Sequence, residues 1–187
     1  MQKTLEKPHP STIRPRDAAT LILVRRDTAT PRILMGKRHE AHKFMPGKFV
    51  FPGGRVDAGD CRIFTENTLR ADVAQKLLSR MKGKPSPARA TGIALAAVRE
   101  TFEEVGLIIG QPGTAPRTRN KAWQQFSATG YTPVLCGLRL LARAVTPPGR
   151  PRRFDTRFFM ADAATLANID SPVAPETDEI LSPHWVS

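Results

Sequence analysis

The stretch AAVRETFEEVGL, residues 96–107, decides how this chain is read. On a helix turning about 100° per residue, Glu100, Glu103 and Glu104 fall within an arc of about 100°. Leu95, Val98, Phe102 and Val105 fall in a separate arc of about 80°. One face can dock on a sheet while its neighbour carries only carboxylates. Gathered acids repel unless a cation joins them, and a site of oxygen donors alone suits a hard divalent ion. The competing reading is a solvated acidic face, although the negative end of the helix dipole makes acids there mildly unfavourable. Upstream, Pro52-Gly53-Gly54 predicts a turn at which backbone can approach a ligand.

Outward from this helix, the periodicity alternates strands with helices. Residues 88–106 read as the clearest helix, closed by Gly106 as a C-cap. AATLILVRR (18–26) reads as a buried strand, PRILMGKR (31–38) as its hairpin partner, and KFVFPGG (48–54) as a short strand ending in the turn. Leu69, Val73, Leu77 and Met81 recur every four positions, which predicts a helix over 62–82. A short helix is expected in 118–130, strands in 135–146 and 153–162, a short helix in 161–169, and a final apolar stub at HWV (184–186). Met81, Trp123 and Phe126 are expected in the core. The pattern indicates a mixed α/β domain over 17–187 preceded by an extended or disordered arm, 1–16.

The 187 residues suffice for one domain with a sizeable core, and 40% apolar with 25% charged content is ordinary for a soluble globular chain. No apolar run approaches the roughly 20 residues of a membrane span. MQKTLEKPHPSTIRPRD lacks the apolar region of a secretory leader. Cys61 and Cys136 stand outside any CxxC or Cys/His cluster, so free thiols in a reducing cytoplasm are expected. A net charge of +12 attracts anions, either phosphorylated metabolites or nucleic acid. Aromatic content of 6%, with no aromatics interleaved among the basic residues, gives no stacking platform for bases.

PGG (52–54) followed by RETFEEVGL (99–107) resembles the Nudix box of the Nudix hydrolases: Gly, five residues, Glu, seven residues, Arg-Glu-U-x-Glu-Glu-x-Gly-U, with U apolar. The second half matches at every defined position except the first U, which is Thr101. In the first half, Asp60 stands where the family has glutamate. Residues 61–98 separate it from Arg99, 38 where the box has seven, an excess of 31 that places a helical insertion at about 61–91. GKFVFPGGRVDAGD with the later RETFEE run resembles the subgroup of coenzyme A diphosphatases with an insertion inside the box. The signature of that subgroup would place an arginine where Phe44 stands, and its upstream serine is missing. HWV resembles the Trp-Val of a late family strand that a helix normally follows, and the sequence ends at Ser187 before one.

The resemblance implies a Nudix-type α/β/α sandwich with a mixed β-sheet. It further implies hydrolysis of a nucleoside diphosphate linked to another moiety, with Mg²⁺ or Mn²⁺ held by Glu100, Glu103, Glu104 and the Gly53 carbonyl. Glu176 or Glu179, from the late loop, would be a further ligand. Arg99 would pair with a glutamate of the box and orient it. Glu100 is the first choice for general base and the late-loop acid the second. Arg55 and Arg38 are candidates for substrate phosphate. The expected partner is a small anionic molecule, with nucleic acid permitted by charge but not favoured, no membrane, and a monomer or homodimer. The alternative, from a different class, is a non-catalytic nucleotide- or RNA-binding module on the same scaffold.

Overall fold

The computed structural model describes residues 13–40, 46–114, 117–172, 175, 177 and 179–187. In chain order its elements are β1 (Arg16–Arg25), β2 (Arg32–Arg38), β3 (Phe49–Val50), β4 (Gly53–Arg55), α1 (Ala71–Ser79), α2 (Pro87–Val105), β5 (Gly110–Pro112), α3 (Lys121–Ala128), β6 (Tyr131–Pro133), β7 (Arg139–Val145), β8 (Phe154–Asp162) and β9 (Ile180–Val186). Short 3-10 turns stand at Asp60–Arg62 and Ala163–Thr165. No helix among the described residues is long and apolar enough to cross a membrane.

The main sheet runs β3-β2-β1-β8-β7, with β4 added on β1 and β9 on β2. It is mixed: β1 and β8 are parallel, Arg16 to Val24 against Phe154 to Asp162, and the other pairs are antiparallel. The hairpin expected from 18–26 and 31–38 forms, with Val24 opposite Ile33. The late apolar stub becomes β9, with Trp185 opposite Leu34. The fold is the mixed α/β arrangement expected.

Helix α2 lies at the centre. Ser86 caps its start by accepting from the Arg89 N–H, Pro87 occupies the first turn, and Gly106 closes it at φ 67°, as the C-cap reading required. Leu95 and Val98 are wholly buried and Phe102 and Val105 nearly so, but burial extends well beyond that stripe. Strands β1 and β4, helices α1 and α3 and the 3-10 turn all pack around it. Phe126 meets both Phe102 and Trp123 edge-on, and Trp123 and Phe126 lie in the core as expected.

Three local expectations are corrected. The helix expected over 62–82 is confined to α1, although Leu69, Val73, Leu77 and Met81 are all buried. Tertiary bonds hold the preceding segment out of a helix: Thr65 Oγ1 donates to the Pro133 carbonyl, and the Asn67 carbonyl accepts from Leu135 N–H. The turn expected at Gly53-Gly54 is the start of β4, paired to β1 with Gly53 opposite Thr20. The short helix expected over 161–169 shrinks to one 3-10 turn, because β8 runs on to Asp162, which caps that turn.

Candidate active site

The acidic face of α2 meets β4 and the approach to β9. Gly53 N–H donates to Glu104 Oε2 at 2.8 Å, which ties the strand directly to the helix. Both glycines stand in crowded places. A Cβ on Gly53 would stand 2.4 Å from the Ala19 carbonyl oxygen, and one on Gly54 would stand 2.5 Å from the Glu100 carboxylate. The first clash is with the backbone of β1, which cannot give; the second is with the end of a flexible side chain, which could give only by leaving its place in the acidic cluster. A cavity of about 210 Å³ remains, lined by Arg99, Glu100, Glu103, Glu104, Thr177 and Glu179.

Arg99 is the hub of the cluster. It is 4% exposed. Its Nε and Nη2 fork onto the two oxygens of Asp60 at 2.9 and 3.0 Å, and Nη2 also donates to the Arg55 carbonyl at 2.9 Å. Its Nη1 is shared between Glu100 Oε1 at 2.9 Å and Glu103 Oε2 at 2.5 Å. Asp60 is fully buried and also accepts from Trp123 Nε1 at 2.8 Å and Asp57 N–H at 2.8 Å. Asp60 and Trp123 thus fix the far side of the guanidinium. Burial works against the charge on Arg99, yet Asp60, Glu100 and Glu103 together hold it more firmly protonated than usual. The expected pairing of Arg99 with an acid of the box is present, and it reaches three acids rather than one.

The carboxylates pay differently for their positions. Burial pushes Glu100 up to about 7, with Arg99 pulling against it and Glu103 adding to it. Burial, then the charge of Glu100, pushes Glu104 well above the ordinary range, and the Gly53 N–H only partly offsets this. Glu104 Oε1 is buried and has no hydrogen-bond partner. With Asp60 and Glu179, five carboxylates face two guanidinium groups, those of Arg99 and Arg38, and three negative charges are left over when all are ionised. A buried, unpartnered carboxylate oxygen inside such a surplus fits a cation. Among the described residues no group of three His, Cys, Asp or Glu side chains is drawn together closely enough to hold a metal ion by itself. The open oxygen set fits an ion that keeps several waters and reaches substrate phosphates, as Mg²⁺ does.

The remaining candidates divide. Arg38 lies at the site: its Nη1 is 3.8 Å from Glu179 Oε2, its Nε is buried without a partner, and its charge reaches Glu104. Glu179 is brought there by the β2–β9 pairing, in which Arg38 stands opposite Ile180. Arg55 is not brought to the cavity; its exposed side chain pairs with Asp57 at 3.0 Å, and only its carbonyl serves Arg99. Glu176 and Phe44 lie outside the described residues. Asp60 and Trp123 are the residues that reading the sequence missed as parts of the site. The position of Asp60 in the box was the available signal for one, and nothing in the sequence singled out the indole N–H of the other.

No family model matches the chain. A Caenorhabditis elegans protein designated nudix hydrolase 7 is 28% identical over 187 residues, covering 91% of this chain and 51% of that relative. The human acyl-coenzyme A diphosphatase NUDT19 is 26% identical over 242 residues, covering 97% of this chain and 63% of that relative. The chain thus spans between half and two thirds of the length of these curated relatives. Among solved structures, a Nudix hydrolase from Alicyclobacillus acidocaldarius superposes with a TM-score of 0.61 at 28% identity, covering 94% of this chain and 80% of that one. Motif, fold and relatives agree in likening this chain to the Nudix hydrolases.

Proposed function

We propose that the chain hydrolyses a pyrophosphate bond in a nucleoside diphosphate linked to another moiety, with Mg²⁺ or Mn²⁺ held by Glu100, Glu103, Glu104 and the Gly53 carbonyl, and Glu176 or Glu179 as a further ligand. The observation that carries this reading is the convergence of Glu100, Glu103, Glu104 and Glu179 on one cavity, with a buried Glu104 oxygen left unpartnered. When bound, the ion would neutralise phosphate charge and make water more acidic.

The chain's own residues have distinct tasks. Water oxygen attacks phosphorus, the P–O–P bond breaks, and two phosphorylated products leave. A carboxylate takes the proton of the water. Glu100, held at about 7, is suited to that transfer near neutral pH, and the late-loop acid is the second choice. Arg99 is a positioning residue: anchored by Asp60, it sets the direction of Glu100 and Glu103 through one nitrogen. Arg38, beside Glu179 at the edge of the cluster, is the proposed contact for substrate phosphate. Arg55 loses support for that role.

The name of the human relative nominates a coenzyme A-type diphosphate as first substrate to try. We further propose a small anionic substrate rather than nucleic acid, acting on a monomer or homodimer in the cytoplasm. A non-catalytic binding module would have no need to bury acids at this cost. The test is a product-release screen over coenzyme A species, nucleotide sugars, dinucleoside polyphosphates, NADH and oxidised nucleotides, each with Mg²⁺ and Mn²⁺. The double variant Glu103→Gln/Glu104→Gln should keep the circular dichroism of the parent and lose turnover. Unaltered turnover in that variant would sink the mechanism, and salt-sensitive RNA binding without hydrolysis of any substrate would favour the binding module.

A further inference from the structure

A second cavity, of about 250 Å³, opens away from the acidic cluster, between α1 and β7. It is lined by Lys76, Arg80, Arg143 and Arg157 together with Leu77, Leu140, Leu141 and Ala142. Its charge is the opposite of that at the candidate active site. Arg143 is committed: Nε and Nη2 fork onto Asp155, both at 2.7 Å, and Nη1 donates to the Arg80 carbonyl. Lys76 and Arg80, on successive turns at the end of α1, have no ion pair among the described residues.

Arg157 supplies the decisive observation. It is 1% exposed, and its Nη1 donates to Asp17 Oδ1 at 2.8 Å and to the Asp155 carbonyl at 2.7 Å. Its Nη2 is buried with no acceptor. The acids within reach are already shared, since Asp17 also takes Arg89 and Asp155 also takes Arg143. Three arginines therefore surround two aspartates, with Lys76 and Arg80 adding two cations at the cavity. A buried charged donor without an acceptor costs more than a neutral one, and an entering anion would remove that cost.

We infer that this cavity is a binding site for a phosphate-type oxyanion, held by Arg157 Nη2, Arg80 and Lys76. Donors from two elements, α1 and β8, suit a tetrahedral group with several acceptor oxygens better than a two-oxygen carboxylate. The volume is below the roughly 300 Å³ of a pocket that encloses a whole small molecule, so the cavity takes a group rather than an entire ligand. Leu140 and the exposed Leu141 form an apolar wall beside it, against which an attached carbon chain would lie. Helix α1 belongs to the segment inserted within the box, and binding of this anion gives that segment a function separate from catalysis.

The test is isothermal titration of the full chain in EDTA at fixed ionic strength, with inorganic phosphate and with butyl phosphate. Without divalent cations the acidic cluster repels both probes. Saturable binding of one equivalent is expected, and Lys76→Ala/Arg80→Ala should weaken it about tenfold or more. Both of those side chains are exposed, so the variant folds, whereas Arg157→Met alone would leave loss of binding confounded with loss of structure. The matched control Arg150→Ala/Arg152→Ala should retain parental affinity. Tighter binding of butyl phosphate assigns the site to a phosphoryl group on a larger molecule, and equal affinity assigns it to free phosphate. Absence of saturable binding, full affinity in the Lys76/Arg80 variant, or equal loss in the matched control would overturn the assignment.

Discussion

Raising the pH should destabilise the metal-free protein, and Glu100 sets the size of the effect. Its side chain is 16% exposed, and burial lifts its ionisation from the ordinary 4.5 to about 7. Between those values the folded state holds a proton that the unfolded chain has released. Stability therefore falls as pH rises through this window and levels off above about 7. At 1.36 kcal/mol per pH unit the span amounts to about 3 kcal/mol. For a chain of this size that is a fall of about 6–12 °C in melting temperature. Glu104 shifts in the same direction and adds to the fall. Asp27, Asp72 and Asp155 are held below the usual carboxylate range, so their contributions are lost only at lower pH and are constant in this window.

The assay is differential scanning calorimetry in EDTA between pH 5 and 9, on the parent and on Glu100→Gln. The parent should lose stability from pH 5 to 8, and the variant should lose much less and melt above the parent at pH 8. Added Mg²⁺ or Mn²⁺ should flatten the parent's curve, because an ion bound only by the folded, ionised site stabilises it by mass action. Parallel pH curves for parent and variant would refute the assignment of the shift to Glu100. A parent curve that climbs towards pH 8 would refute its sign.

Other perturbations separate anchoring from chemistry. Asp60→Asn removes the one fully buried charge that forks onto Arg99, leaving only Glu100 and Glu103 to balance it, and should cost about 3–5 kcal/mol in chemical denaturation, far more than a surface charge change. Trp123→Phe removes only the indole donor to Asp60 and should cost about 1.5–3 kcal/mol in the same measurement. Gly54→Ala forces the Glu100 carboxylate aside and should lower kcat/KM by about 10²-fold with little change in melting temperature; unchanged turnover would show that Glu100 tolerates displacement. Arg55→Ala breaks one exposed ion pair and should change stability by less than about 1 kcal/mol while leaving KM unaltered; a raised KM would restore Arg55 as a substrate contact.

What was legible in the sequence was what repeats or what is chemically unusual. The 3.6-residue period of α2, its glycine stop and its run of acids could be read directly, because each follows from local geometry. The β1–β2 hairpin was legible for the same reason. The non-helical path of residues 63–70 was not, since the bonds of Thr65 and Asn67 run to Pro133 and Leu135, distant in sequence. Nor was the strand at Gly53: a Pro-Gly-Gly run reads as a turn until β1 supplies a ladder and, with Glu100, crowds the space a Cβ would need. Arg55 reads as a free cation beside a glycine-rich turn, but Asp57 two residues on captures it.

The geometry of Arg99 bears on why an insertion of this size is tolerated between the halves of the box. The pairing that matters is carried by side chains across the insertion: Asp60 before it grips Arg99 after it, and Trp123 from α3 locks that grip. Only the two ends of the inserted segment need to meet at α2. Lengthening a loop whose ends stay fixed costs little, because closure entropy grows only with the logarithm of length. The ends are held by the fork on Asp60 and by the Ser86 cap of α2, and the inserted residues bury Val73, Leu77 and Met81 against the common core. The aspartate at position 60, where the Nudix box has glutamate, belongs to the same arrangement. The shorter side chain still reaches Arg99, because the 3-10 turn Asp60–Arg62 packs directly on α2. Asp60→Glu tests this: an added methylene in a fully buried position between Arg99 and Trp123 should destabilise by about 1–3 kcal/mol. A variant as stable as the parent would mean that the turn can retreat from α2, and that the grip on Arg99 does not depend on the length of the acid.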